Sequence, residues 1–249
     1  MKERVTLTIE QSVLRQVDAR IDGNTVRNRS HAVEMLIREA LRGEVPETAV
    51  ILAGAQQQQI DRVLKEHNNK TMIRHNIDLL TNAGVQEIIL ISKDPQQIKE
   101  RLTNIDANIR YVTETEPLGT AGALGLASPY INSTFLVLNA DDYKELNIRE
   151  FYTYHNTHPG MCSIALTTTA EPEDYGVALL NGNKIITFVE KPKDPAPSNL
   201  ISAGCYLMEK DVLELIPEGY ASLETDLFPK LSNNDNLYGY PFSGEYKHI

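Results

Sequence analysis

The chain has 249 residues, 41% apolar and 23% charged, with a net charge of −10. That length can bury a full core in one or two domains, and no apolar run reaches the length of a membrane span. Two cysteines without metal-ligand spacing and a start, Met1–Thr6, without an apolar leader core argue against a disulfide framework and for a cytoplasmic protein.

The charge is unevenly spread. Residues 1–44 carry 8 Lys+Arg against 7 Asp+Glu, and the remainder 16 against 27. An acidic total therefore does not exclude a nucleic-acid-binding head. In that head, Arg4-Val-Thr-Leu-Thr-Ile9 alternates, with Val5, Leu7 and Ile9 on one face and Arg4, Thr6 and Thr8 on the other, which predicts a strand buried on one side. Val13, Leu14, Val17 and Ile21 recur at helical spacing and predict a helix over 11–22, broken by Gly23-Asn24. Asn28 is the predicted N-cap of a second helix carrying Val33, Leu36, Ile37, Ala40 and Leu41, with Gly43 as its C-cap.

One strand and two helices in 44 residues do not make a stable monomer, and pairing two strands across a homodimer is the economical remedy. Residues 2–43 resemble the ribbon-helix-helix DNA-binding proteins, in particular the small plasmid copy-number repressors, in the basic-Thr-Thr alternation and the Asn28-Arg29-Ser30 entry to the second helix. The resemblance implies that Lys2, Arg4, Thr6 and Thr8 face double-stranded DNA from a ribbon in the major groove, and that Asn28, Arg29 and Ser30 hold a phosphate.

After a short hinge at 44–47, strands and helices alternate. Val50–Leu52, Glu87–Ile91, Ile109–Val112 and Phe135–Leu138 read as buried strands, with helical patterns at Met72–Ala83, Pro95–Leu102 and Ala121–Ser128 between them. Denser strands follow at Cys162–Thr168, Tyr175–Leu180, Lys184–Glu190 and Ala203–Met208, with a hairpin turn at Asn181-Gly182. The pattern predicts an α/β fold for residues 48–249, a doubly wound, mostly parallel, Rossmann-like (GT-A-like) sheet. In such sheets a ligand crevice lies beyond the carboxyl ends of the strands, here at Ala53-Gly54.

Glu116-Pro-Leu-Gly-Thr-Ala-Gly-Ala-Leu124, Phe135-Leu-Val-Leu-Asn-Ala-Asp-Asp142, Tyr175-Gly176, Glu190-Lys-Pro192, Ser202-Ala-Gly-Cys-Tyr206 and Leu223-Glu-Thr-Asp-Leu-Phe-Pro229 come in that order. Together they resemble the sugar-phosphate nucleotidyltransferases, which make NDP-sugars from NTP and sugar 1-phosphate. The resemblance implies that Ala53 and Gly54 approach the nucleotide and Gly119 and Thr120 line the base and ribose pocket. It puts Asp141 among two magnesium carboxylates and Gly176, Glu190 and Lys191 along the sugar-phosphate groove. Ser202 stands where that family often has Asn.

Three family devices look altered. Ala55 and four glutamines replace the Gly-rich loop with its Arg, Ile60, Val63 and Leu64 predict a helix there, and no Pro-Lys segment follows. Asn69-Lys70-Thr71-Met72-Ile73 matches the family's later Gly-Lys-Pro segment. His248 falls at the second metal Asp, and Arg62 and Lys65 read as solvated helix cations. The expectation from sequence is therefore a DNA-binding transcriptional regulator whose degenerate transferase body senses a nucleotide or NDP-sugar or mediates oligomerisation, with no catalytic residues and no metal. The alternatives are an active nucleotidyltransferase using Mg²⁺ and an antitoxin-like assembly protein.

Overall fold

A computed structural model describes residues 5–22, 26–41, 44–193 and 195–248. The chain divides into two compact units, Met1–Glu44 and Val45–Ile249. Lys2, Arg4, the Gly23-Asn24 break and Gly43 lie outside the described residues.

The first unit contains α1 (Gln11–Asp18) and α2 (Arg29–Leu41), around a small cluster of Val17, Val26 and Ala32. α1 stops four residues short of the predicted end. The predicted N-terminal strand does not form: residues 5–10 are in no strand, and Val5 and Leu7 are 69% and 56% exposed. A strand needs a neighbour to satisfy its N–H and C=O groups, and the single chain offers none.

The second unit is built on a nine-stranded mixed sheet in the order β5-β4-β1-β6-β11-β8-β12-β10-β9. Its parallel half comprises β1 (Thr48–Leu52), β4 (Glu87–Ser92), β5 (Ile109–Thr113) and β6 (Phe135–Asn139). The remainder comprises β8 (Cys162–Thr168), β9 (Gly176–Asn181), β10 (Lys184–Glu190), β11 (Leu200–Met208) and β12 (Leu237–Pro241). There β11 runs antiparallel to β6 and β8, whereas β12 runs parallel to β8. The sheet is therefore more mixed than a mostly parallel reading allows.

Alternation places Val50, Ile89 and Val137 in one core cluster and Ala49, Ile51, Ile88, Leu136 and Leu138 in the other. Both faces are covered, so the strands read as unbroken apolar runs. α6 (Gly119–Gly125) and α8 (Phe228–Asn233) pack on the first face; α3 (Gln57–Val63), α4 (Met72–Ala83), α5 (Pro95–Arg101) and α7 (Ile148–Asn156) pack on the second. α4 begins where Thr71 accepts from Arg74 N and ends at Gly84 with φ 105°, bounds that cap chemistry and apolar spacing both set. Two small ribbons complete the unit: β2 (Glu66–His67) with β3 (Lys70–Thr71), and β7 (Asp142–Lys144) with β13 (Tyr246–His248).

Cys162 and Cys205 are buried free thiols. No helix among the described residues is long and apolar enough to cross a membrane.

Candidate active site

The turn after β1 forms the first wall of a crevice at the carboxyl ends of the parallel strands. Gly54 takes φ 96°, and a Cβ there would overlap the Gln59 side chain. Gln59 Oε1 in turn accepts from Ala55 N (2.9 Å) and Gln56 N (3.0 Å). These two backbone N–H groups are thus taken by a side chain of the same segment rather than left for a ligand. The predicted helix does replace the loop. Its Arg62 is not simply solvated, for it lines the crevice with Nη1 3.7 Å from Asp141 Oδ2.

The floor is the turn from β6 to β7, which carries Asp141 and Asp142. The buried Asn76 of α4 holds it, with Nδ2 near the carbonyls of Met72, Ala140 and Asp142 at 3.0, 3.1 and 3.2 Å. The amide has two hydrogens, so it serves two of these carbonyls fully at a time. Buried Lys144 donates to Gly204 O (3.3 Å), tying β7 to a bulge in β11 between Ser202 and Tyr206. Gly204 has φ 60°, and a Cβ there would overlap Asp142 Oδ2.

Asp142 Oδ1 accepts from Tyr246 Oη (3.0 Å) and lies 2.8 Å from His248 Nδ1. The β7–β13 pairing sets this directly, because His248 stands opposite Asp142 in the register. The hydrogen bond to Asp142 raises the His248 pKa above its ordinary value, against the opposing effect of burial. Burial pushes the Asp141 carboxyl up, and the adjacent Asp142 charge adds to it.

The opposite wall comes from α6, β9, β10 and the segment at 220–224. Thr120 Oγ1 donates to Glu224 Oε2 (2.6 Å) and accepts from Leu223 N (2.8 Å). Burial, and then the Glu224 charge, raises the pKa of Glu190. Glu114, at the end of β5, is also raised by burial, while its Oε1 accepts from Leu118 N (2.9 Å).

The resulting cavity measures about 370 Å³. All eight predicted body residues line it: Ala53, Gly54, Gly119, Thr120, Asp141, Gly176, Glu190 and Lys191. Arg62, Glu114, Asp142, Glu224, Tyr246 and His248 line it too, although the sequence reading gave them no ligand role. Asp142 was legible as the neighbour of Asp141, and His248 as the residue at the second metal Asp of the resemblance, although a histidine there was read as a loss. Six carboxylates face the cavity (Glu114, Asp141, Asp142, Asp174, Glu190 and Glu224), against Arg62, Lys191 and His248. Such a site admits a polyphosphate most readily together with a divalent cation.

The head residues predicted to face DNA are arranged otherwise. Thr6 and Thr8 are exposed on chain outside any strand. Asn28 Oδ1 accepts from His31 N (3.0 Å), the capping contact expected at the start of α2. Arg29 makes a two-pronged contact with Asp18 at 2.8 and 2.7 Å, which turns its guanidinium to an internal partner. Ser30 is exposed in the first turn of α2.

The profile of the nucleotidyl transferase family matches residues 56–246. The chain belongs to that family.

Mannose-1-phosphate guanyltransferase 2 of Candida glabrata is 39% identical over 196 residues, covering 74% of this chain and 54% of that protein. Probable mannose-1-phosphate guanylyltransferase 3 of Arabidopsis thaliana is 35% identical over 198 residues, covering 75% of this chain and 60% of that protein. The chain thus spans a little over half the length of the curated relatives it matches. Among solved structures, a putative glucose-1-phosphate thymidylyltransferase from Bacillus anthracis superposes with a TM-score of 0.73 at 23% identity, covering 81% of this chain and 89% of that one. HddC from Yersinia pseudotuberculosis gives 0.69 at 25%, covering 82% and 93%. The mixed α/β nucleotidyltransferase fold is common to them.

These relatives correct the functional expectation. They are named for sugar-phosphate guanylyl transfer, so the reading of a DNA-binding transcriptional regulator with double-stranded DNA as partner does not stand. Nor does the reading of the body as a transferase that has lost its chemistry. The physical reason lies in the crevice. Charges that appear deleted along the chain are partly supplied in space, by Arg62 across from Asp141 and by Asp142 beside it. The crevice is also open, which is not what an assembly domain with a filled pocket would show.

Proposed function

We propose that the protein transfers a nucleotidyl group to a sugar 1-phosphate. A phosphate oxygen of the sugar 1-phosphate attacks the α-phosphorus of a nucleoside triphosphate. The bond from that phosphorus to the bridging oxygen breaks, and pyrophosphate leaves with the electron pair. The product is a nucleotide-sugar. The observation that carries this reading is the Asp141–Asp142 pair on a clamped turn at the floor of the family crevice, with Arg62 facing it.

Asp141, Asp142 and His248 each offer one ligand atom, all within 4.8 Å of one another, and Gly204 admits the Asp142 carboxylate where a Cβ would overlap Oδ2. This donor set fits a divalent cation, which when bound neutralises charge on the phosphates and polarises them. The chain's own residues do the remaining work. Arg62 draws the phosphates toward the β1 side, Gly119 and Thr120 bound the nucleoside, and Glu190 and Lys191 orient the sugar phosphate in the groove beside Gly176. Phosphoryl transfer depends chiefly on such positioning and charge.

The names of the relatives make GTP and mannose 1-phosphate the first substrates to assay. Pyrophosphate release with this pair, abolished in Asp142→Asn, would support the proposal. Absence of release with all four NTPs and a panel of sugar 1-phosphates at saturating divalent cation would reject it. Two buried free thiols suit a reducing cytoplasm as the setting.

A further inference from the structure

The resemblance to the nucleotidyltransferases implies two carboxylates around Mg²⁺, and here the position opposite Asp142 is an imidazole. We infer that Asp141, Asp142 and His248 form a mixed oxygen–nitrogen cation site that takes Mn²⁺ or Co²⁺ in preference to Mg²⁺, with His248 Nδ1 as a direct ligand. The inference rests on the transferase reading for its role, though not for its chemistry.

Three observations carry it. His248 Nδ1 lies 2.8 Å from Asp142 Oδ1. Ligands at ~2.1 Å from one cation and at right angles to each other stand about 3 Å apart, so the spacing suits two neighbouring positions on one ion. Next, the placement is built into the backbone. His248 sits across from Asp142 in the β7–β13 register, and Tyr246, two residues earlier on the same face, donates to the same carboxylate oxygen.

Finally, the Asp142 side chain is only 4% exposed, and Asp141, Asp142 and His248 each present one ligand atom within 4.8 Å of the others. Gly204 at the β11 bulge lets the Asp142 carboxylate pack against the strand backbone, since a Cβ there would overlap Oδ2. Mg²⁺ demands near-octahedral oxygen coordination, whereas imidazole suits the later divalent metals.

The test uses the full chain and the metals alone. Calorimetric titration should show Mn²⁺ binding at least tenfold more tightly than Mg²⁺, a preference that narrows severalfold in His248→Asp. Pulsed electron paramagnetic resonance of bound Mn²⁺ should show coupling to an imidazole nitrogen, lost in His248→Asp and His248→Gln while both variants keep the wild-type circular dichroism spectrum. Absence of nitrogen coupling in the wild type, its persistence in both variants, or equal preference for the two metals would overturn the inference. Nitrogen coupling without nucleotide-sugar synthesis would uphold this site and reject the transferase role. Synthesis with Mg²⁺ and no nitrogen coupling would do the reverse.

Discussion

Arg62 reaches Asp141 from a seven-residue helix, standing where a Gly-rich loop would otherwise carry the cation. Its removal should weaken handling of the triphosphate and leave the fold alone. Arg62→Gln is expected to lower kcat/KM by about 10- to 100-fold, or ~1.4–2.7 kcal/mol of barrier, with an unchanged melting temperature. Asn76 works from behind. Asn76→Leu strips a donor from buried carbonyls of the β6–β7 turn, and urea unfolding should show a loss of about 1–3 kcal/mol.

Far from the crevice, His155 accepts from Ser163 Oγ on Nδ1 and donates from Nε2 to Glu209, the arrangement of a neutral ring. Burial lowers its pKa below the usual 6.5, outweighing the Glu209 charge. Unfolding lets the ring take up a proton between these two values. Its contribution to stability is therefore complete above about pH 6.5 and is lost as pH falls toward the lowered folded value. Denaturation series of wild type and His155→Gln across that window should converge as pH falls.

Gly204 shows how a strand irregularity serves a site. β11 breaks its register with β8 between Ser202 and Tyr206, and the glycine there adopts φ 60° beside Asp142. Gly204→Ala should cost about 1–3 kcal/mol by denaturant titration and should abolish Mn²⁺ binding by displacing the carboxylate. The strands were legible because both sheet faces are covered and their sequences run apolar throughout; α4 was legible to the residue, bounded by Thr71 and Gly84. The N-terminal alternation forms no strand in the single chain, because period-two patterning becomes a strand only where a partner supplies hydrogen bonds, and that partner was expected from a second copy. All eight body positions read from the resemblance line the crevice, but His248 meets Asp142 across 106 residues, by a register no local pattern encodes. Arg62 was misjudged because helical spacing identifies the buried face, marked by Ile60 and Val63, and is silent about a cavity at its edge.

The two units differ greatly in what holds them together. Among the described residues, the first has a cluster of three buried residues, Val17, Val26 and Ala32, whereas the second has two extensive cores on either face of its sheet. A fragment of residues 45–249 should therefore fold by itself, melt with the main transition of the whole chain, and retain the cation site. Loss of cooperative melting in that fragment would show that the body depends on residues before Val45.

The most direct measurement is detection of the nucleotide-sugar product itself. The full chain is incubated with GTP, mannose 1-phosphate and saturating Mn²⁺ or Mg²⁺, and the mixture is resolved by anion-exchange chromatography alongside Asp142→Asn. The account predicts a GDP-sugar peak matched by equimolar pyrophosphate, with both lost in the variant. A chain that yields neither with any of the four NTPs and a panel of sugar 1-phosphates, while folded and binding cation, would contradict it.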